Sequence, residues 1–220
     1  MATEGRIPGV NESVNWIFEQ PNWIRAYVVG GILSLIPIVS FMPMGYALLV
    51  MRDVLHGEPP RLRDWDGLWG ETFVLGFKAF LLFLLYGIPA AVLLVFLMVL
   101  HAGPLGAGIG LLVLLVVGLL APLAVGRMLI HDSFGAGLAL TEILGDLQQA
   151  GRTYFLAWAL SILVTLVFGA VGNIPILGFV IAVAVTFGLT LWMSVLWGTV
   201  CRPILNPPPG PIVPEPITPA

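Results

Sequence analysis

Long apolar runs separated by short polar segments dominate the hydrophobic pattern of this chain. Four runs that are nearly free of charge lie at residues 72–100, 109–130, 153–172 and 174–200. As a helix, each is long enough to cross the roughly 30 Å hydrocarbon core of a bilayer, which takes about 20 residues. The pattern therefore predicts four transmembrane helices.

The apolar stretch at residues 21–57 differs from these runs because prolines interrupt it. Pro37 and Pro43 separate two apolar halves, residues 23–36 and 44–56. Each proline lacks a backbone N–H and crowds the preceding turn, so the pair favours a turn between two short helices. Each half is about 20 Å long as a helix. A two-pass hairpin, a re-entrant loop and one kinked span therefore all stay open from the pattern alone.

The distribution of charge favours the two-pass hairpin. With six membrane segments, every Lys and Arg lies towards one end of the bundle, whereas one kinked span moves Arg6 and Arg25 to the other end. Cations concentrate on the cytoplasmic side of membrane proteins. The sequence thus predicts about six segments in the plasma membrane, with both termini in the cytoplasm and with Ser40 and Asn173 near the opposite surface.

Three polar segments carry apolar residues at helical spacing and predict helices lying in the membrane interface. They are residues 11–20, 58–71 and 131–151; the second bears Leu62, Trp65, Leu68 and Trp69, and the third bears Leu140, Ile143, Leu144 and Leu147. Seven prolines in residues 206–220 predict an extended tail. The expected organisation is one helical domain, residues 1–205, followed by a proline-rich tail, residues 206–220.

Composition agrees with an all-α, polytopic membrane protein. Hydrophobic residues make up 59% of the chain and charged residues only 10%, and the mean hydropathy is +1.02. These values lie far from those of a soluble domain. A single cysteine, Cys201, excludes an internal disulfide.

Short segments of the chain also recur, which suggests two related halves. The matches pair residues 36–41 with 174–179, Arg52 and His56 with Arg127 and His131, and residues 70–73 with 151–154.

Small, aromatic and proline residues follow a particular order through the first half of the chain: Asn22-Trp23, Gly30-Gly31, Ile36-Pro37-Ile38, Gly45-Tyr46, Arg52, Gly57, Leu62, Trp65, Gly76, Tyr86 and Pro89. In these residues the chain resembles the prokaryotic membrane family catalogued as domain of unknown function 4013. That family usually shows a Leu-Pro pair before its loop tryptophan, whereas this chain has Leu62-Arg63-Asp64-Trp65. The resemblance implies a multi-pass membrane protein and brings no activity.

Two histidines are weak candidates for binding a cofactor. His56 and His131 could ligate a metal, a haem or a chlorophyll magnesium, because a neutral imidazole suits such groups. Histidines at the interface also serve simply as hydrogen-bonded headgroup-level residues. No cysteine or carboxylate cluster accompanies them in the sequence, so we expect no cofactor and no metal.

Thr186, Thr190 and Ser194 recur every four residues along the last apolar run. They form a polar stripe that can line a path or join packed helices. Lys78 lies near the charged end of its run, where its side chain can snorkel to the interface.

The loop at residues 58–71 is the candidate surface for a partner. Arg61, Arg63, Trp65 and Trp69 combine the side chains that anchor protein interfaces. The alternative is that both tryptophans hold the loop at headgroup depth.

Enzyme motifs are absent from the sequence: it has no P-loop, no Gly-x-Ser-x-Gly and no His-Glu-x-x-His. We therefore expect a non-enzymatic integral membrane protein. The leading interpretation is a scaffold or accessory subunit that uses its cytoplasmic face to bind a membrane-protein partner, with no role in nucleic-acid binding. The alternatives are an uncoupled transporter or permease-like protein and a lipid-handling protein, which would use the basic residues around Arg61 and Arg63 against anionic headgroups.

Overall fold

The structure is a computed structural model that describes residues 16–101, 103–172 and 177–206. Within these ranges all regular structure is helical. The α-helices are α1 (Trp16–Glu19), α2 (Trp23–Leu33), α3 (Phe41–His56), α4 (Trp69–Val99), α5 (Gly103–Ile130), α6 (Leu140–Gln149), α7 (Arg152–Gly172) and α8 (Leu177–Leu205), and a short 3-10 helix covers Phe134–Leu138. Four features predicted above lie outside the described residues: the first part of the interfacial helix at residues 11–20, Asn173, the repeat segment at residues 174–176, and the tail from residue 207.

Four helices, α4, α5, α7 and α8, are long and apolar enough to cross a membrane. They correspond to the four long apolar runs of the sequence. Prolines inside three of them, Pro89, Pro122 and Pro203, do not end the helices.

Two shorter helices, α2 and α3, occupy the stretch that the prolines interrupt. Pro37 lies in the turn between them, whereas Pro43 lies in the first turn of α3. A first-turn residue has no helical partner for its N–H, so proline is tolerated there. Arg25, near the start of α2, donates to Asp66 in the loop that follows α3. The start of α2 and the end of α3 therefore lie on the same side of the molecule.

Helix α3 is the centre of the bundle. From Pro43 to Leu55, nearly every residue is buried, whichever face of the helix it lies on. The helix packs against α2, α4, α5 and α8. A helix enclosed on all sides needs no polar face, which is why the sequence of α3 has no amphipathic pattern.

Two glycines allow α3 and α4 to approach backbone to backbone. A β-carbon on Gly45 would collide with the carbonyl oxygen of Thr72, and one on Gly76 would collide with the carbonyl oxygen of Phe41. Small residues at a crossing permit such close contact in membrane bundles.

The predicted interfacial helix at residues 58–71 is not formed, and this prediction was wrong. The chain is irregular from Glu58 until α4 begins at Trp69. Pro59 and Pro60 cannot donate to a helical ladder, and Gly67 has a positive φ of 84°. The apolar side chains instead turn inward, as the site below shows.

The third amphipathic segment, residues 131–151, does form a helix, α6, preceded by the 3-10 helix. Ile143 of α6 is fully buried, while Leu140 and Leu144 are about half exposed. The half-exposed leucines are compatible with a helix lying in the interface.

Candidate functional site

The charged side chains gather at one end of the bundle, here called the charged end, and most of them pair with one another. The ion pairs are Arg25 with Asp64 and Asp66, Arg52 with Glu71, Arg63 with Asp53, and Arg127 with Glu142 and Asp146. They connect the ends of α2, α3, α4, α5 and α6. The arrangement rigidifies this end of the bundle rather than leaving a bare charged surface.

Asp53 of α3 is a buried carboxylate beside the irregular loop at residues 58–68. Its side chain is 7% exposed, and its Oδ1 accepts a hydrogen bond of 2.6 Å from Arg63 Nη2. Its Oδ2 has no hydrogen-bond partner among the described residues. The hydroxyl of Tyr46, two helical turns earlier on α3, donates to the backbone oxygen of Arg63 at 2.7 Å. Arg63 is thus held at both its side chain and its backbone.

Trp65 fastens the same loop from the other side. Its side chain is only 1% exposed and stacks on Tyr46, with ring centroids 4.6 Å apart. Its Nε1 donates to the backbone oxygen of Ala26 in α2 at 3.3 Å. The loop is therefore packed into the groove between α2 and α3.

This packing divides the four residues predicted for partner contact into two that are engaged within the chain and two that are exposed. Arg63 and Trp65 are engaged within the chain, whereas Arg61 is exposed and Trp69 is 40% exposed. Sequence reasoning missed Tyr46 and Ala26 as the receptors for Trp65, since neither is near it in the chain. Contact of Trp65 with a partner would require the loop to leave the bundle.

The candidate histidines make no shared site within the described residues. Nδ1 of His56 lies 2.8 Å from the backbone oxygen of Arg52, one turn earlier on its own helix, and His131 is exposed. In the part of the chain that the structure describes, no group of three or more His, Cys, Asp or Glu side chains could hold a metal.

A cavity of about 690 Å³ lies between α3, α5, α7 and α8. All three residues of the predicted polar stripe, Thr186, Thr190 and Ser194, line it. The other lining residues are mostly apolar or small: Ser34, Ser40, Pro43, Met44, Ala47, Leu48, Met51, Phe83, Gly118, Ala121, Pro122, Val125, Trp158, Ser161, Ile162, Thr165, Leu166, Met193 and Trp197.

The residues that line the cavity, here called the cleft, differ in burial between its two ends. Met51, Val125 and Trp197 line the end nearer the charged end, and all three are buried. At the opposite end, Thr165 and Thr186 are exposed. The cleft is therefore better shielded towards the charged end.

The hydroxyl groups of the cleft are bound to their own helices. Ser161 donates to Ala157 O and Thr165 to Ser161 O on α7, each at 2.8 Å. On α8, Thr190 donates to Thr186 O at 2.8 Å and Ser194 to Leu191 O at 2.7 Å. Since the hydrogens are used, these oxygens offer lone pairs to the cleft. No charged side chain is among the lining residues, so the cleft suits an uncharged occupant.

Comparison with known proteins gives one match. A family model described as "Protein of unknown function (DUF4013)" matches residues 29–196. No curated protein and no solved structure matches the chain.

Proposed function

The chain belongs to the DUF4013 family of proteins of unknown function, and we propose that it is a non-enzymatic integral membrane protein that holds a lipid chain between its helices. Lipid handling is an alternative of the sequence analysis, but the proposal replaces contact of Arg61 and Arg63 with headgroups by a cleft that neither residue lines. The observation that carries the proposal is the cleft of about 690 Å³ between α3, α5, α7 and α8.

The size and the lining of the cleft support a lipid-like occupant. Binding cavities of roughly 300–1,000 Å³ with apolar walls and few polar groups are typical of small-molecule sites. Here the walls are apolar, with hydroxyl groups from α7 and α8 and no charged side chain. A hydrocarbon chain is the molecule that a bilayer supplies to such a cleft in greatest abundance.

The buried end of the cleft argues against a continuously open channel. Such a channel must continue from one side of the membrane to the other. In the described residues, the lining of the cleft ends at Met51, Val125 and Trp197, which are buried. The geometry therefore favours holding over passage through an open pore.

Native mass spectrometry of the detergent-purified protein tests this proposal. We expect the wild-type protein to retain lipid under delipidating conditions and Ala121→Phe, which fills the cleft, to lose it. Ala91→Phe is the matched control, because Ala91 is exposed on α4 and does not line the cleft. Absence of lipid from the wild-type protein, or equal retention by both variants, would contradict the proposal, provided that both variants melt at the wild-type temperature.

A scaffold or accessory role is the second candidate, favoured by the exposure of Arg61 and Trp69. Arg61 makes no ion pair with a described residue, and tryptophan and arginine are preferred anchors of interfaces. The double variant Arg61→Ala/Trp69→Ala removes the ring contact of Trp69 with Trp65, 5.7 Å between centroids, but keeps the stacking of Trp65 on Tyr46 and its hydrogen bond to Ala26. Loss of a partner that co-purifies with the wild-type protein in mild detergent would support the role, and unchanged co-purification would refute it.

A further inference from the structure

We propose that the occupant of the cleft is one hydrocarbon chain of a glycerolipid from the membrane leaflet opposite the charged end. This inference rests on the proposed lipid-holding function. It adds the source of the lipid and its direction.

The depth of the cleft matches one leaflet. Along α3 the lining extends from Ser40 to Met51, and along α8 from Thr186 to Trp197. Each interval is 11 residues (51 − 40 and 197 − 186), or roughly 16 Å at 1.5 Å per residue. Half of a hydrocarbon core of about 30 Å is about 15 Å. A single chain therefore fills the cleft along its whole depth.

The direction follows from which end is better shielded. Helices α3 and α8 both run towards the charged end, where the guanidinium of Arg202 on α8 lies against Gly57, just after α3. The cleft is better shielded in that direction, at Trp197, than towards Ser40. A lipid of the opposite leaflet enters with its terminal methyl group first. A lipid of the leaflet at the charged end would have to pass its headgroup through buried apolar side chains.

The lining favours the hydrocarbon chain over the polar part of the lipid. A phosphate would meet no cation among the lining residues. The hydroxyl groups of Ser161, Thr165 and Thr190 already donate to backbone oxygens of their own helices, and an ester offers only acceptor oxygens. Only the hydrocarbon chain therefore enters the cleft, and the ester linkage and the headgroup remain at the membrane surface.

Quenching of Trp197 by brominated lipid tests the direction. The protein is reconstituted in phosphatidylcholine vesicles, and phosphatidylcholine brominated near the chain terminus is exchanged into the outer leaflet only. Protein orientation is read from labelling of His56→Cys, an exposed position at the charged end. The emission of Trp197 is the difference between the wild type and Trp197→Phe.

We expect Trp197 to lose most of its emission when the brominated leaflet is opposite the charged end, and little when it is the other leaflet. Ala121→Phe should abolish the difference. Equal quenching from both leaflets, or stronger quenching from the leaflet at the charged end, would overturn the inference. If lipid is still retained in mass spectrometry, only the inference fails; if no lipid is retained at all, the proposed function fails with it.

Discussion

At the scale of single residues, the enclosure of Asp53 sets the conformation of the loop above it. A carboxylate that is 7% exposed loses most of its hydration, and a buried charge is tolerated only when it is paired. Arg63 supplies the pair from within the loop. The loop is therefore fixed in place by an electrostatic requirement of α3 as well as by its own apolar side chains.

Removing the positive charge of Arg63 should show how much the pairing of Asp53 contributes to stability. Arg63→Gln leaves Asp53 without its partner, and we expect a loss of about 1–3 kcal/mol in the free energy of unfolding. Arg61→Gln, a neighbouring exposed arginine, should be neutral within about 0.5 kcal/mol. Urea unfolding of the detergent-solubilised protein measures both. Equal stability of the two variants would contradict the role of Arg63, and Asp53→Asn/Arg63→Gln should recover part of the loss.

The sequence predicted the importance of Trp65 but not its environment. A tryptophan among charged residues is typical of a surface anchor, because the pattern shows only neighbours along the chain. The residues that receive it, Tyr46 and Ala26, are 19 and 39 positions away. The helical spacing of Leu62, Trp65, Leu68 and Trp69 predicted a helix that is not formed. Pro59 and Pro60 at the start of the segment cannot donate the backbone hydrogen bonds of a helix.

At the scale of the elements, the crossing of α3 and α4 depends on Gly45 and Gly76. Gly76→Ala places a methyl group against the backbone of Phe41, which a flexible side chain cannot relieve. Overpacking of this kind costs about 1–3 kcal/mol or more, so we expect a clear fall in the melting temperature in detergent. Gly87→Ala on the same helix is the control: its β-carbon meets nothing within 4 Å, and the melting temperature should be unchanged or slightly raised. Equal melting of the two variants would show that the crossing relaxes freely.

Two ion pairs have the same separation in the two halves of the predicted internal repeat, but they do not follow the register of the sequence match. Arg52 pairs with Glu71 and Arg127 with Asp146, and both pairs are separated by 19 residues. After each histidine of the repeat comes a residue with positive φ, Gly57 at 89° and Asp132 at 45°. The sequence match had placed Arg152 opposite Glu71, whereas the ion pairs place Asp146 there. Short matches in apolar chains cannot fix a register that charge pairing decides in three dimensions.

At the scale of the whole molecule, hydropathy was enough to predict the four long helices, because each apolar run exceeds the thickness of a bilayer. The two proline-separated halves also form separate helices, α2 and α3. The cleft was beyond the reach of the sequence, since it depends on the distance between α7 and the α3–α5 pair. The stripe of Thr186, Thr190 and Ser194 was its only signal in the sequence, and such a stripe more commonly joins packed helices.

Cysteine labelling tests the predicted orientation of the bundle. In a Cys201→Ala background, Ser40→Cys should react with an impermeant thiol reagent from outside the cell. His56→Cys, at the charged end, should react only after the membrane is opened. The reason is that positively charged residues, which mark the charged end, remain in the cytoplasm. Reaction of both positions from the same side would contradict a two-pass hairpin at α2 and α3.

The enclosure of α3 also has a consequence for the period in which the chain is being synthesised. Val50 and Val54 of α3 pack against Leu191 and Val195 of α8, which the ribosome makes well over 100 residues later. At about 5–20 residues per second, the central helix waits on the order of 10 s for the neighbour that covers it. During this interval lipid covers its apolar side in place of α8, and the packing that fixes α3 in the bundle is incomplete. A chain stopped after α6 should therefore be degraded faster in a pulse-chase experiment than the full chain, and an equal lifetime would show that α3 is sheltered by other means.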